Sequence, residues 1–490
     1  MENVALNARK KLSMEKYVSQ VRIVTPNTIV KLIDVSARSV ISSTEIVNNF
    51  LLVSGKLFVN AVYIAEDNKI ENTETSVDFV EKQKVNFVLT DIFGQDEVKI
   101  EDVSVSSSEI ACVVEHNTTI YGIYKNLLGD ASSVENDIVI NKKQIECFNL
   151  VSTNEDNFVV AEEVESNLKE IKVLDTTSSV VVGSVIASVD KVIIDGKVKV
   201  QTLYLDDLGL GELTKEFEFK QEIATKNTMP GMSAEAMVRV VNVSVTEQPK
   251  EDKNSIAFVI DFCAKVYTFE SKMVDTFDDV FSLSREISPV YDYVNFEMDD
   301  GVEFETDTVL TQTDISVNGD FDDLIGVIQP KINVEQIDDV GEKVVTYATI
   351  KAVAIYKTTD GISKLDLKYE TRFEAEKDIN KSVKNVVASV IVSAFKVKAG
   401  KDLETTFFVD YKYEFEKRST EKYVKSYEIG QEKSGADSAI KVYVTKGEQT
   451  LFDVAKTLNV RPEIIADQNE VSDVFEAGQK VYVYSPLNFC

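Results

Sequence analysis

The sequence predicts a mainly β protein, with three tandem antiparallel sandwich-like or barrel-like modules followed by a small βααβ domain. Three observations lead to this prediction. One alternating strand recurs along the chain; β-branched residues are abundant while Pro is scarce and Trp is absent; and the hydrophobic period becomes helical near the C-terminus. With 490 residues, the chain is long enough for three or four domains.

The recurring strand is the basis of the predicted repeat. The strand Gly55–Tyr63 returns as Gly196–Tyr204 and, more loosely, as Thr349–Tyr356. In the second copy apolar residues alternate with lysines, which is the period-2 pattern of a strand with one buried face. A polar turn suited to a β-hairpin follows each copy. Asp34 and Asp175 both lie 29 residues before the final Tyr, so the first two copies align without a gap, whereas the third requires an insertion.

The modules and their connections follow from these copies and from breaks in composition. In chain order we expect a polar, partly helical leader at residues 1–20, β modules at 21–150, 164–289 and 309–429 (the last divergent), a linker at 430–438 and a βααβ domain at 439–486. Polar segments at 153–157 and 298–303 predict turns at the two module junctions.

The C-terminal segment has the signals of two short helices between two strands. Thr450 with Asp453 three residues later predicts an N-cap, and Asn459 ends the first helix. Pro462 suits the first turn of a second helix, since it loses no hydrogen bond there. The apolar stripe of the first helix comprises Leu451, Val454, Ala455 and Leu458.

Charge and apolar runs exclude several classes of partner. The net charge of −30 disfavours binding to nucleic acid, which requires basic residues to displace condensed cations, and it disfavours anionic membranes as well. No apolar run approaches the length of a bilayer span, and no secretory signal is visible. We therefore expect no membrane insertion and a protein that stays in the compartment where it is made.

Signals for catalysis or cofactor binding are weak. The single histidine, His116, lacks a second His or a nearby Cys, and Glu115 beside it would point to the opposite face of a strand. We expect a satisfied or surface His, no metal, no cofactor and no enzymatic activity. Cys112 and Cys263 lie in apolar strands as small hydrophobes, whereas Cys490 is terminal and could form an intermolecular disulfide.

The C-terminal segment resembles a LysM domain. The resemblance rests on Lys446-Gly447-Glu448, the following Leu451–Ala455, the run Val460–Ile465, Gln468-Asn469 and Gly478–Val481. LysM domains typically bind N-acetylglucosamine polymers in a groove between the first strand–helix loop and the loop after the second helix. Carried over to this sequence, that groove comprises Gly447, Glu448, Gln449, Thr450 and Leu451, with Ile464 and Asn469 on the far side.

The three upstream modules resemble SPOCS spore-coat-associated domains. Gly-Lys strands that end in Tyr and connectors such as Asp130–Ser133 carry this resemblance. Several such modules before one LysM domain are similar to the SipL-type coat morphogenetic proteins of clostridia. The resemblance implies a scaffold in the mother-cell cytosol at the forespore surface, whose LysM domain contacts the coat-basement ATPase SpoIVA. Two other hypotheses remain open: a glycan-binding wall protein, and a coat building block that self-associates by edge-strand addition.

Overall fold

The computed structural model describes nearly the whole chain. It covers residues 3–86, 88–129, 137–166, 168, 170–206, 209–248, 254–314, 321–358, 361–398, 402–433, 440–469 and 473–484. The elements, in order, are β1 (Asn3–Ser13), β2 (Tyr17–Val24), β3 (Ile29–Val47), β4 (Phe50–Ala65), β5 (Ile70–Lys84), β6 (Leu89–Val105), β7 (Glu109–Gly129), β8 (Ile138–Ser166), β9 (Lys172–Ser188), β10 (Lys191–Asp206), β11 (Gly209–Ala224), β12 (Ser233–Gln248), β13 (Asn254–Ser282), β14 (Arg285–Asp314), β15 (Phe321–Val340), β16 (Lys343–Thr358), β17 (Gly361–Glu376), β18 (Ser382–Lys398), β19 (Asp402–Glu432), β20 (Ile440–Val444), β21 (Gln449–Thr450), α1 (Leu451–Leu458), α2 (Pro462–Asn469), β22 (Val474–Phe475) and β23 (Lys480–Tyr484). The predicted mainly β fold class is confirmed.

The long strands form three sandwiches, each made of two antiparallel sheets. In the first sandwich, β3-β4-β5 faces β1-β7-β2 with β6; in the second, β11-β10-β9 faces β12-β13-β8; in the third, β15-β16-β17 faces β14-β19-β18. A separate apolar core lies between the sheets of each sandwich. This arrangement explains the period-2 pattern in strands such as β2, which buries one face and exposes the other, whereas parts of β4, β13 and β16 are buried on both faces.

The recurring strand is the central strand of one sheet in every sandwich. It is β4 in the first, β10 in the second and β16 in the third, and each pairs with the next strand as a hairpin. The strand before it carries a β-bulge at the same place in all three copies, at Ile33, Leu174 and Ile325. The repeat stays a prediction, but this shared irregularity supports it. The bulge also locates the insertion in the third copy. The residue after the bulge lies 29 residues before the final Tyr in the first two copies, whereas Gly326 lies 30 residues before Tyr356.

A close approach explains the glycine at the start of the first two copies. A Cβ atom on Gly55 would lie 2.5 Å from the Val40 carbonyl oxygen and 2.7 Å from the ring of Phe79. A Cβ atom on Gly196 would lie 2.7 Å from the Val181 oxygen and 2.4 Å from the ring of Phe219. Glycine is therefore required where an aromatic ring of the neighbouring strand covers the backbone.

The three recurring-strand sheets meet in one apolar cluster. It contains residues from all three sandwiches: Ile33, Val62, Ile64, Ile70, Leu174, Leu203, Leu210, Ile328, Val353 and Ile355. Asp175 lies beside it and accepts hydrogen bonds from Ser36 Oγ at 2.9 Å, Asn60 Nδ2 at 3.0 Å and Gln329 Nε2 at 3.2 Å. These hydrogen bonds join the second sandwich to the first, through Ser36 and Asn60, and to the third, through Gln329.

Several sequence-based expectations are wrong in this structure. The predicted helical leader contains β1, which pairs with β7 along its whole length. The predicted junction turn at 153–157 lies inside β8, and the one at 298–303 lies inside β14, where a bulge with Gly301 at φ +99° replaces a turn. Both segments belong to edge strands of three-stranded sheets, and residues 154–157 are exposed there, so polarity alone does not distinguish a turn from an exposed strand. The module ranges themselves stay predictions.

The predicted linker at 430–438 is in part a strand. β19 continues to Glu432, and Lys433 donates its backbone N–H to Ser284 O at 2.8 Å. Residues 434–439 lie outside the described residues.

Among the described residues, neither helix has the length and apolar character needed to cross a membrane. Cys112, Cys147 and Cys263 are buried free thiols, as the sequence predicted for Cys112 and Cys263; Cys490 lies outside the described residues.

Candidate binding surface of the C-terminal segment

The C-terminal head, residues 440–484, is built around a capped helix. The Thr450 hydroxyl accepts the Asp453 N–H at 3.1 Å, and the Asp453 carboxylate accepts the Thr450 N–H at 3.0 Å. Asn459 ends α1 in the left-handed conformation, and α2 begins at Pro462. These caps were predicted from the sequence, and they satisfy backbone groups that a short helix would otherwise leave unpaired.

The loop between β20 and α1 lies next to Asp473, the described end of the loop after α2. β21 (Gln449–Thr450) pairs with β22 (Val474–Phe475), and the Leu451 N–H donates to Asp473 O at 2.9 Å. Glu448 is exposed, and a Cβ atom on Gly447 would meet no atom within 4 Å. One side of the groove is therefore accessible, although residues 470–472 lie outside the described residues.

The polar groups of the other predicted groove residues already have partners inside the head. Asn469 Nδ2 donates to Tyr482 O at 2.7 Å, and Asn469 Oδ1 accepts the Tyr482 N–H at 2.7 Å. The Gln449 side chain accepts the hydroxyl of Tyr443 at 3.0 Å, and Thr450 caps the helix. Asn469 thus joins α2 to β23 and does not extend into a groove.

The apolar residues of this region differ from the expected pattern. Ile465 is fully buried, whereas Ile464, one of the predicted groove residues, is 38% exposed. Val454 and Ala455 are buried as expected, whereas Leu451 is only half-buried and Phe452 enters the core instead. The register of a helix only two turns long is set by its neighbours, so the stripe could not be located to within one residue from the sequence.

An exposed apolar face on the head was not predicted. β20 and β23 pair with Val442 opposite Tyr482 and Ile440 opposite Tyr484, so these side chains share one face of the two-stranded sheet. With Val444, all five are exposed, Val442 to 57% and Tyr482 to 38%. The opposite face buries Val481 and Val483 against the helices. The signal available in the sequence was the run Val442-Tyr443-Val444, which is apolar on both faces of a strand.

The head packs against the second sandwich and is not simply tethered. Phe452 meets Phe281 of β13 edge-to-face, with ring centroids 5.2 Å apart. Lys456 Nζ lies 2.5 Å from Asp279 Oδ2, and Asn459 Nδ2 donates to Leu283 O at 2.7 Å. The exposed apolar face of β20 and β23 is made of residues other than these, so it remains exposed in the docked arrangement.

A second group of interacting side chains surrounds His116, which is buried and hydrogen-bonded as predicted. Its Nδ1 lies 2.7 Å from Asp96 Oδ2 and 3.6 Å from Glu81 Oε1, and its Nε2 lies 2.9 Å from Ser19 Oγ. The Thr118 hydroxyl lies 2.8 Å from Glu81 Oε1 and 3.0 Å from Asp96 Oδ1. Burial raises the pKa of the Glu81 carboxyl, against the hydrogen bond from Thr118.

Sequence reasoning missed Glu81 and Asp96 because they come from other strands than His116. Glu115, by contrast, points away from the cluster to pair with Lys16 at 2.8 Å, as strand alternation predicted. A cleft of about 1110 Å³ lies between the three sandwiches and is bordered by Asp96.

Comparison with known families yields one match. Residues 159–247 match the family model described as SipL, SPOCS domain. This range extends from within β8 to the end of β12, that is, most of the second sandwich. No curated protein and no solved structure matches the chain. The match supports a SipL-type sporulation protein with a role related to the spore coat.

Proposed function

We propose that this protein is a non-enzymatic scaffold of spore coat assembly. It acts in the mother-cell cytoplasm at the forespore surface, where the C-terminal head binds a coat-basement ATPase of the SpoIVA type and the sandwiches hold other coat proteins. The family match at residues 159–247 supports the connection with the spore coat.

The exposed apolar face of the head is the observation that carries the adaptor role. Five apolar side chains of β20 and β23 form one contiguous exposed surface on a small domain. Such surfaces on soluble proteins commonly mark protein–protein contacts, because covering them removes apolar area from water. Tyr482 and Tyr484 belong to a residue type that often dominates interface energetics.

The alternative is binding of N-acetylglucosamine polymers of the spore cortex or wall through the predicted groove. The exposed Glu448 and the open space beside Gly447 favour this alternative. Sugar recognition depends on hydrogen-bonding groups placed around the ligand. The amide of Asn469 and the hydroxyl of Thr450 are already bonded within the head, which favours the protein partner.

The two functions are separable with variants of the full chain. Val442→Glu and Tyr482→Glu place a charge on the exposed apolar face, while Glu448→Ala changes the predicted groove. Leu310→Glu, at a 70% exposed apolar position on β14, is the matched control. Each protein is tested for binding to the purified coat-basement ATPase and for retention on insoluble chitin and peptidoglycan.

We expect the two face variants to weaken ATPase binding about tenfold or more, because a charge at the centre of an apolar contact is desolvated without a partner. Glu448→Ala and Leu310→Glu should bind as the unchanged protein does. Polysaccharide retention that chito-oligosaccharides compete and Glu448→Ala abolishes would establish the glycan-binding function instead. Binding to neither target would refute both.

A further inference from the structure

The cluster around His116 connects the two sheets of the first sandwich. Glu81 lies on β5, in the sheet β3-β4-β5, whereas Asp96 on β6 and His116 on β7 belong to the facing sheet. One ligand atom from each of these three residues lies within 4.8 Å of the other two. Three groups able to bind a metal therefore converge across the interior of a sandwich.

The cluster buries two carboxyl groups, and one of their oxygen atoms lacks a hydrogen-bond partner. The side chains of Glu81, Asp96 and His116 are 2%, 1% and 0% exposed, so water does not screen them. Glu81 Oε2 is buried without a hydrogen-bond partner. Burying a carboxyl oxygen without a partner is costly, and a cation bound between the three side chains would supply the partner that Glu81 Oε2 lacks.

The distances suit a small divalent ion. Ligand atoms about 2.0–2.1 Å from a tetrahedral Zn²⁺ are about 3.3 Å from one another. The observed separations from His116 Nδ1, 2.7 Å to Asp96 Oδ2 and 3.6 Å to Glu81 Oε1, lie on either side of this value. Side-chain movements of less than about 1 Å would bring both separations to the value expected around a tetrahedral ion.

The surrounding groups are those expected around a metal ligand. If Nδ1 binds the metal, Nε2 carries the proton, and Ser19 Oγ at 2.9 Å is placed to accept it. The Thr118 hydroxyl contacts both carboxylates and orients them. Such hydrogen bonds hold ligating side chains in place. Asp96 also borders the cleft between the three sandwiches.

We propose that Glu81, Asp96 and His116 bind one divalent transition-metal ion, with Zn²⁺ preferred to Mn²⁺, that joins the two sheets of the first sandwich. One imidazole nitrogen with two carboxylates suits either ion, and the preference follows the general order of affinities for divalent metals. We assign the metal a structural role because its three protein ligands are buried and come from both sheets of the sandwich. This inference is independent of the proposed adaptor function.

The test uses the full chain, stripped with EDTA and then exposed to Zn²⁺ or Mn²⁺. After gel filtration, elemental analysis should find about one Zn²⁺ per chain, and the metal should raise the melting temperature. His116 is the chain's only histidine, so electron spin echo spectra of bound Mn²⁺ should show coupling to an imidazole nitrogen that only this residue can supply. This spectrum needs no variant and remains informative where variants fail to fold.

Variants identify the remaining ligands. Glu81→Gln and Asp96→Asn should each lower Zn²⁺ affinity about tenfold or more. Glu115→Gln, next to His116 but on the opposite face, is the matched control and should bind normally. Cys490→Ser excludes binding through the terminal thiol. Absence of a retained metal, absence of imidazole coupling, or unchanged affinity in folded Asp96→Asn protein would each overturn the proposal.

Discussion

Phe281→Ala tests whether the head is held on the second sandwich by the contacts described. Phe281 is buried, and its ring meets Phe452 edge-to-face at 5.2 Å. Truncating a buried Phe costs about 3–5 kcal/mol in all, and an edge-to-face ring pair contributes about 0.5–1.5 kcal/mol beyond the area buried. Only part of the side chain faces the head, so we expect the free energy that holds the head on the sandwich to fall by about 2 kcal/mol. This change corresponds to an undocked population about 30-fold larger. The Lys456–Asp279 ion pair is partly exposed and adds little.

Trypsin cleavage after Lys433 measures this population. In the docked state Lys433 Nζ donates to Ser282 O and to Asn459 Oδ1, both at 2.6 Å, which holds this part of the chain against the body. When opening and closing are fast, the cleavage rate follows the open population. The rate should therefore rise about 30-fold in the variant, and mass spectrometry of the fragments should show cleavage at this bond first.

Phe408→Ala, at a 46% exposed position on β19, serves as the control and should cleave at the original rate. An unchanged rate in Phe281→Ala would refute the docked arrangement. Simultaneous cleavage throughout β13 would show general unfolding of the sandwich instead, since the head alone is expected to move.

Two further predictions concern the sandwiches. Gly196→Ala should lower the free energy of unfolding by about 1–3 kcal/mol, because the new methyl group would lie 2.4 Å from the ring of Phe219; Gly183→Ala, whose nearest neighbour is 3.5 Å away, is the control in a denaturant titration. Asp34→Asn should raise stability at neutral pH. Burial raises the pKa of the Asp34 carboxyl, partly offset by Lys331, so the folded state binds the proton more tightly and loses stability as pH rises through that raised pKa. The advantage of the variant should shrink as pH falls from neutral through the raised pKa and should be absent below the ordinary Asp pKa. An advantage that persists there, or that equals that of the exposed Asp78→Asn, would contradict this explanation.

Local chemistry made much of the fold predictable. The alternation of Gly196–Tyr204 predicted a strand with one buried face, and β10 is the central strand of its sheet. The Thr450 cap, the end of α1 at Asn459 and the start of α2 at Pro462 were all located correctly, because caps depend on side chains within a few residues. The long ribbons of β8 with β13 were not predicted, since strand length depends on the partner strand.

The candidate site was less predictable. The residues expected to line a groove include Asn469, which bonds to β23, and the exposed apolar face depends on Val442 and Tyr482 being opposite each other across two strands 40 residues apart. No local pattern contains that pairing. The assignment of the head to the LysM family stays a prediction.

The sequence by itself determined the period of the strands, the hairpins, the helix caps and the resemblance to spore coat domains, because each depends on residues close together in the chain. Only the tertiary structure decided that the head docks on β13, that an apolar face remains exposed, and that Glu81, Asp96 and His116 meet across the first sandwich. Those features arise where strands distant in sequence pack together. Burial and charge at such places depend on every neighbouring strand at once.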